Sequence, residues 1–197
     1  VILLLALLAT HGIGNSNVAN GSFDALTLHQ DSIAGASCWQ VMNRTRNVWV
    51  VGHEGEDWLM SCGGNDAIAD IPVADSAFAI VQLEVELAKK GSTLCYVTPP
   101  SLSIASPWKA TVDTHVRELV LLLPAGLCLI DAHRDWIVLG YDQMLELYQV
   151  DGGHLSEAGN AKYTEIVSAE NVPLGVTVQE AIILLVVGFF AVKREVR

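Results

Sequence analysis

Four residues in three short blocks carry the side-chain types that acyl transfer needs. Ser16 stands in "GIGNSNVANG" (12–21), Asn65 in "GGND" (63–66), and Asp151 with His154 in "DGGHLSEAGN" (151–160). A serine hydroxyl is a weak nucleophile until an imidazole takes its proton, and the imidazole works best when a carboxylate fixes its tautomer. Asp151 and His154, three residues apart, can point into one site from a single turn. The oxyanion of a tetrahedral intermediate then needs donors already aimed at it, which the Asn65 carboxamide and backbone N–H groups at Ser16 and a glycine can supply. Taken singly, each has a plainer role: Ser16 as a turn residue, Asn65 and Asp66 as helix caps, Asp151 with Gly152 as an ordinary turn. Their combination holds the residue types of acyl transfer by a serine nucleophile.

Such blocks need strand ends to hold them. Apolar runs of strand length alternate with helix-period segments, the pattern of a parallel sheet covered by helices on both faces. In "DSAFAIVQLEVELAKKG" (75–91), Ile80, Leu83 and Leu87 share one helical face and Val81, Val85 and Ala88 the adjoining one. Lys89 and Lys90 fall in its last turn, and Gly91 stands where a left-handed cap belongs. It leads into "STLCYVTPP" (92–100), a short β-rich run, and the alternation recurs through "VDTHVRELVLLL" (112–123) into "GLCLIDA" (126–132). Earlier, "GASCWQVMNRT" (35–45) reads as a helix and "EDWLMSC" (56–62) as a strand, while "NVWVVGHEGE" (47–56) fits either an extra strand or a loop. In open parallel sheets, binding sites form outside the carboxyl ends of the strands. Ser16 and Asn65 each follow an apolar run closely, as that rule requires.

The bulk numbers bound the rest. A chain of 197 residues and 21.2 kDa buries one substantial core, so a single domain is expected. Hydrophobic content of 51% against 17% charged residues excludes a disordered chain. The net charge of −11, with only 11 scattered Lys and Arg, excludes a surface that tracks nucleic-acid phosphates. Cys38, Cys62, Cys95 and Cys128 form no CxxC pair and no zinc spacing; three lie in apolar runs and read as small buried hydrophobes, with disulfide pairing left open. "DAHRDW" (131–136) places His133 between charged residues with no serine nearby, which points to structural contacts. His11, five residues before Ser16, is close enough in sequence to line the same cleft but is given no part in the chemistry.

Both ends are strongly apolar. "VILLLALLAT" (1–10) is read as the first core strand, although it also resembles the core of a secretory signal. "AENVPLG" (169–175) is the best linker, so the expected division is a catalytic domain over 1–169 and a tail over 170–197. Within that tail, residues 176–192 fit either a membrane anchor closed by Lys193 and Arg194 or a buried or interface helix.

"GNS", "GGND" and "DGGHLS", in this order, resemble the signature blocks of the SGNH hydrolase superfamily, the GDSL esterases and lipases. The resemblance runs from Ser16 to His154 and implies a three-layer α/β/α sandwich of flavodoxin-like type with a mostly parallel central sheet. It also implies Ser16 as nucleophile, His154 as base, Asp151 as its partner, and an oxyanion hole of Ser16, Gly35 and Asn65. Gly35 is chosen because "SIAGASCWQVM" resembles the family's strand, glycine and helix; Gly55 is the fallback. The implied activity is hydrolysis of carboxylic esters, short acyl or carbohydrate acetyl esters first, through an acyl-enzyme and without metal or organic cofactor. The family also holds thioesterases and lysophospholipases. Where it usually has aspartate before the nucleophile, this chain has Asn15, which keeps a catalytically impaired binding module as the alternative.

Overall fold

The structure is a computed structural model that describes residues 9–14, 26–49 and 51–169. Five strands, β1 (Ala9–Gly14), β2 (Thr27–Ser32), β3 (Asp57–Ser61), β4 (Thr93–Val97) and β5 (Cys128–Ile130), form one sheet in the order β2-β1-β3-β4-β5. Every pairing is parallel. The helices are α1 (Cys38–Arg44), α2 (Gly64–Ile68), α3 (Val73–Ala88), α4 (Lys109–Leu122), α5 (Ala132–Val138) and α6 (Glu157–Ala169).

Side chains alternate between the two faces of a strand, and here both faces are buried. Ile13, Trp58, Met60, Leu94 and Tyr96 pack on one face with Val41 and Met42 of α1, Ile80, Leu83 and Leu87 of α3, and Leu119 of α4. Leu59, Cys95, Val97 and Ile130 pack on the other with Trp136 of α5 and Tyr163, Ile166 and Val167 of α6. The result is the expected three-layer α/β/α sandwich.

Local chemistry accounts for the element ends. Ser37 opens α1 with a capping box: its hydroxyl accepts the Gln40 N–H at 3.3 Å while the Gln40 carbonyl oxygen Oε1 accepts the Ser37 N–H at 2.9 Å. The helix expected at 75–91 spans Val73–Ala88, and Gly91 takes the left-handed conformation at φ +73. Its Ile80, Leu83 and Leu87 face is buried, whereas Val85 on the adjoining face is exposed.

Two expectations are corrected, and one open alternative is decided. The strand before Gly35 is the polar "TLHQDS", which ends where "SIAGASCWQVM" begins; among the described residues it pairs only with β1, so its composition carries little apolar alternation. "NVWVVGHEGE" is not an extra strand among its described residues: Thr45–Trp49 form a π-helical turn continuing α1, and turns fill the stretch to β3. The cysteines are buried or half-buried, yet not as separate hydrophobes: Cys38 pairs with Cys62 and Cys95 with Cys128, at Cα separations of 5.2 and 4.5 Å. No sequence spacing reveals such pairings, which depend on strand register and helix docking. The first described strand begins at Ala9; residues 1–8 and the linker and tail over 170–197 lie outside the described residues.

The Cys95–Cys128 bridge joins partners in register on β4 and β5 and closes a separation of 33 residues. A loop of that length confers roughly 3 to 4 kcal/mol on a chain-entropy account. Replacing both cysteines by alanine is therefore expected to lower Tm by about 6–16 °C. Thermal unfolding checks this, and a melting temperature unchanged within 1–2 °C would refute the bridge's contribution.

Candidate active site

The strand order puts the topological switch point between β1 and β3, where ligands bind in open α/β sheets. The chain leaves β1 at Gly14, whose register partners are Ser32 at the end of β2 and Ser61 at the end of β3. The carboxyl edge therefore carries, side by side, the segment with Gly35, the exit of β1, the segment with Asn65, and residues 98–106 after β4. Ser16, together with Asn15, lies outside the described residues.

The turn that presents Asn65 is built from its glycine. Gly63 sits at φ +109, and a Cβ there would lie 3.2 Å from Leu119 Cδ2 and 3.4 Å from the Tyr96 hydroxyl. Tyr96 itself donates to the Cys62 carbonyl at 2.8 Å, fixing the end of β3. Asn65 then falls in the first turn of α2 and donates one Nδ2–H to the Ala36 carbonyl at 3.2 Å. Asp66 does not cap its own helix: both carboxylate oxygens accept the Cys38 N–H, at 3.1 and 3.0 Å, and Oδ1 accepts the Ser76 hydroxyl at 2.9 Å. Burial pushes the Asp66 carboxyl up, partly offset by those bonds. The Asn65 and Asp66 bonds and the Cys38–Cys62 disulfide all tie the Gly35 segment to the "GGND" turn.

Gly35 and Asn65 line one open cleft of about 770 Å³, with Trp39 and Phe78 on its wall. These two aromatic rings stack at 6.2 Å with planes 18° apart, and each is about half exposed. Gly55, the fallback glycine, precedes β3 and so stands at the opposite, amino edge of the sheet from Asn65.

Asp151 and His154 form a pair. His154 Nδ1 lies 2.5 Å from Asp151 Oδ2, while Asp151 Oδ1 accepts the N–H groups of Gly153 and His154 at 2.9 Å each. Burial alone would raise the Asp151 carboxyl, but the His154 and Gly153 bonds outweigh it and bring the pKa to about 2. The loop is held at both ends. Gln149 N–H donates to the His154 carbonyl at 2.8 Å, Tyr148 bridges to the buried Leu155, and Ser156 caps α6 by accepting the Gly159 N–H at 3.2 Å. A Cβ on Gly159 would lie 2.0 Å from the Leu147 carbonyl oxygen, so only glycine allows this approach. Asp151 and His154 do not line the cleft of Gly35 and Asn65. They stand at the same carboxyl edge one strand further along, where the Gly152 carbonyl accepts the Ser103 N–H at 3.0 Å.

Behind that loop lies a polar network in which only the Lys109–Asp113 pair, four residues apart on α4, has a spacing that the sequence shows. Asp113 accepts from the Ser101 hydroxyl and from Lys109 Nζ, each at 2.6 Å; Lys109 also reaches Asp142 at 3.1 Å, and His133 Nε2 lies 3.3 Å from Asp113. His133 is thus buried in structural contacts, as expected. Burial alone would raise Asp113, but the His133, Lys109 and Ser101 contacts outweigh it and lower its pKa to about 2. A pKa depressed on folding gives stability that is present above the unfolded value near 4 and lost as pH falls towards 2, here roughly 2 kcal/mol. The stability difference between wild type and Asp113→Asn should therefore shrink between about pH 4 and 2. Urea melts check this, and a difference constant across that range would contradict it.

Asp66, Ser76 and His115 also hold the residue types of a triad, with Ser76 Oγ 3.3 Å from His115 Nε2. The hydroxyl there is central, already donates to Asp66, and is 1% exposed, so this set is structural.

The sheet order and the two helical layers are those of a flavodoxin-like α/β/α sandwich, and its likeness to solved esterases and acylhydrolases matches the SGNH-hydrolase fold. Among solved structures, the chain is similar to the lipase/acylhydrolase from Enterococcus faecalis, at 18% identity and a TM-score of 0.65, covering 84% of this chain and 98% of that one. It is also similar to the acetyl xylan esterase AlAXEase at 14% identity and a TM-score of 0.66, covering 82% and 100%. A third match is a catalytic mutant of an acetylxylan esterase from Geobacillus stearothermophilus, at 14% identity and a TM-score of 0.64, covering 84% and 96%. No protein-family model matches the sequence, and no curated protein matches it.

Proposed function

We propose that the protein is a serine esterase that cleaves carboxylic esters through an acyl-enzyme. The observation that carries this reading is the His154–Asp151 pair at the same sheet edge as the Asn65 carboxamide. Chain order adds support: Ser16 follows Gly14, the last residue of β1, by two positions. The esterases and acylhydrolases that share the fold point the same way.

In the proposed reaction, His154 takes the proton of the Ser16 hydroxyl as its oxygen attacks the acyl carbon. Asp151 accepts the Nδ1–H and holds the imidazole in the basic tautomer. The oxyanion rests on the second Nδ2–H of Asn65 and the backbone N–H groups of Gly35 and Ser16. His154 then protonates the departing alcohol, and water repeats the sequence to release the acid. No step requires a metal or organic cofactor. The exposed Trp39–Phe78 wall offers flat apolar surface beside the oxyanion donors, which suits a sugar ring or a short acyl group. Two disulfides suit an oxidising compartment.

Losing one oxyanion donor costs about 10²–10³ in turnover. Asn65→Ala is accordingly expected to lower kcat on p-nitrophenyl acetate by that factor with little change in KM, and an unchanged kcat would remove Asn65 from the site. The activity itself is tested with p-nitrophenyl esters from acetyl to palmitoyl and with acetylated xylo-oligosaccharides. Cleavage of acetyl esters over palmitoyl is expected; preference for long acyl chains or thioesters would favour the lysophospholipase or thioesterase reading. Hydrolysis of none of these would favour the binding module suggested by Asn15.

A further inference from the structure

Towards the amino edge of the sheet, away from the proposed catalytic groups, three histidines and a glutamate converge. His11 of β1 is only 2% exposed, and its ring stacks on Trp58 at a centroid distance of 4.2 Å. The ring of His53 stands 4.5 Å from it and that of His29, its register partner on β2, 5.2 Å. Glu56, immediately before β3, links two of them: Oε2 contacts His11 Nε2 and Oε1 lies 3.3 Å from His53 Nδ1. One ligand atom from each of His11, His53 and Glu56 falls within 4.8 Å of the others.

We propose that His11, His53 and Glu56 form a binding site for a divalent transition-metal cation of the zinc class, separate from the hydrolytic centre. Two imidazoles and one carboxylate are an established donor set for such ions, with bonds of about 2.0–2.2 Å. The buried His11 is the fixed anchor. Burial favours its neutral form, which has the lone pair a metal requires, although the Glu56 carboxylate opposes this. Without metal, the Glu56 carboxylate at Nε2 keeps the proton on that nitrogen; an ion at Nε2 would displace it to Nδ1, which is buried with no hydrogen-bond partner among the described residues. His53 and Glu56 have side chains 40% and 31% exposed and lie in the turns before β3, so drawing them onto an ion needs side-chain movement only. The same exposure provides the path of entry. Three protein ligands leave a fourth position, with His29 the nearest further histidine. Bound metal would clamp the turn before β3 to β1 and stabilise the fold by mass action.

The test is cobalt(II) titration of the untagged, chelator-stripped full chain, read by visible ligand-field absorption. Wild type should develop bands of a four-coordinate site that saturate at one equivalent. Zinc(II) should abolish those bands and raise Tm. Outer-shell losses already cost about 10–100-fold in affinity, so losing a ligand in His53→Ala, or its charge in Glu56→Gln, should weaken binding at least tenfold. Both positions are partly exposed, and circular dichroism confirms that the variants fold. His154→Ala, which removes a histidine at the opposite edge of the sheet, should bind as wild type does. Absence of saturable binding overturns the proposal. So does binding that survives in His53→Ala and Glu56→Gln, or that is lost in His154→Ala.

Discussion

His154→Ala is expected to lower kcat/KM on p-nitrophenyl acetate by about 10⁴-fold or more, because the hydroxyl then has no base to take its proton. The loss should appear in kcat, since the cleft of Gly35, Trp39, Asn65 and Phe78 does not include His154. Groups that act as one unit are strongly non-additive. The double variant with Ser16→Ala should therefore be no slower than the worse single variant. Steady-state kinetics on the three proteins check both points, and a His154→Ala enzyme within tenfold of wild type would exclude the imidazole as base.

Asp151→Asn is expected to cost about 10⁴-fold in kcat while leaving the fold intact. The carboxamide keeps an oxygen for the N–H groups of Gly153 and His154, which the carboxylate now holds at 2.9 Å, so the turn survives. An NH₂ in place of Oδ2 would face Nδ1, where the ring nitrogen must then accept. The imidazole would be left protonated at Nε2, the wrong tautomer for a base. Because Asp151 is held at about 2, it stays ionised as pH falls until it approaches that value. Any acid limb above about pH 4 in the wild-type rate therefore belongs to another group, and the variant's loss should persist across the neutral range. A variant with wild-type kcat at pH 7 would leave Asp151 with only a turn-forming role.

What could be read from the sequence followed burial and local chemistry. The helix of Ile80, Leu83 and Leu87 was plain because one face is fully buried, and β3 and β4 because strands covered on both faces read as apolar runs. The strand β2 is harder to place because its residues are polar and, among the described residues, only β1 pairs with it. In the candidate site, the Asp151–His154 pair was legible because three residues and one turn make it. The Asn65–Ala36 bond, the Asp66 clasp on Cys38 and the two disulfides were not, since each joins residues 24 or more apart in the chain. The His11, His53 and Glu56 cluster was hidden for the same reason: register brings β1 to the turn before β3.

The central claim is that Ser16 is the nucleophile served by His154. A fluorophosphonate probe tests it most directly, because covalent capture demands an activated hydroxyl and mass spectrometry locates the adduct. The expected result is a single adduct on wild type at Ser16 and none on Ser16→Ala. Equal labelling of both proteins, or none of wild type, would contradict it.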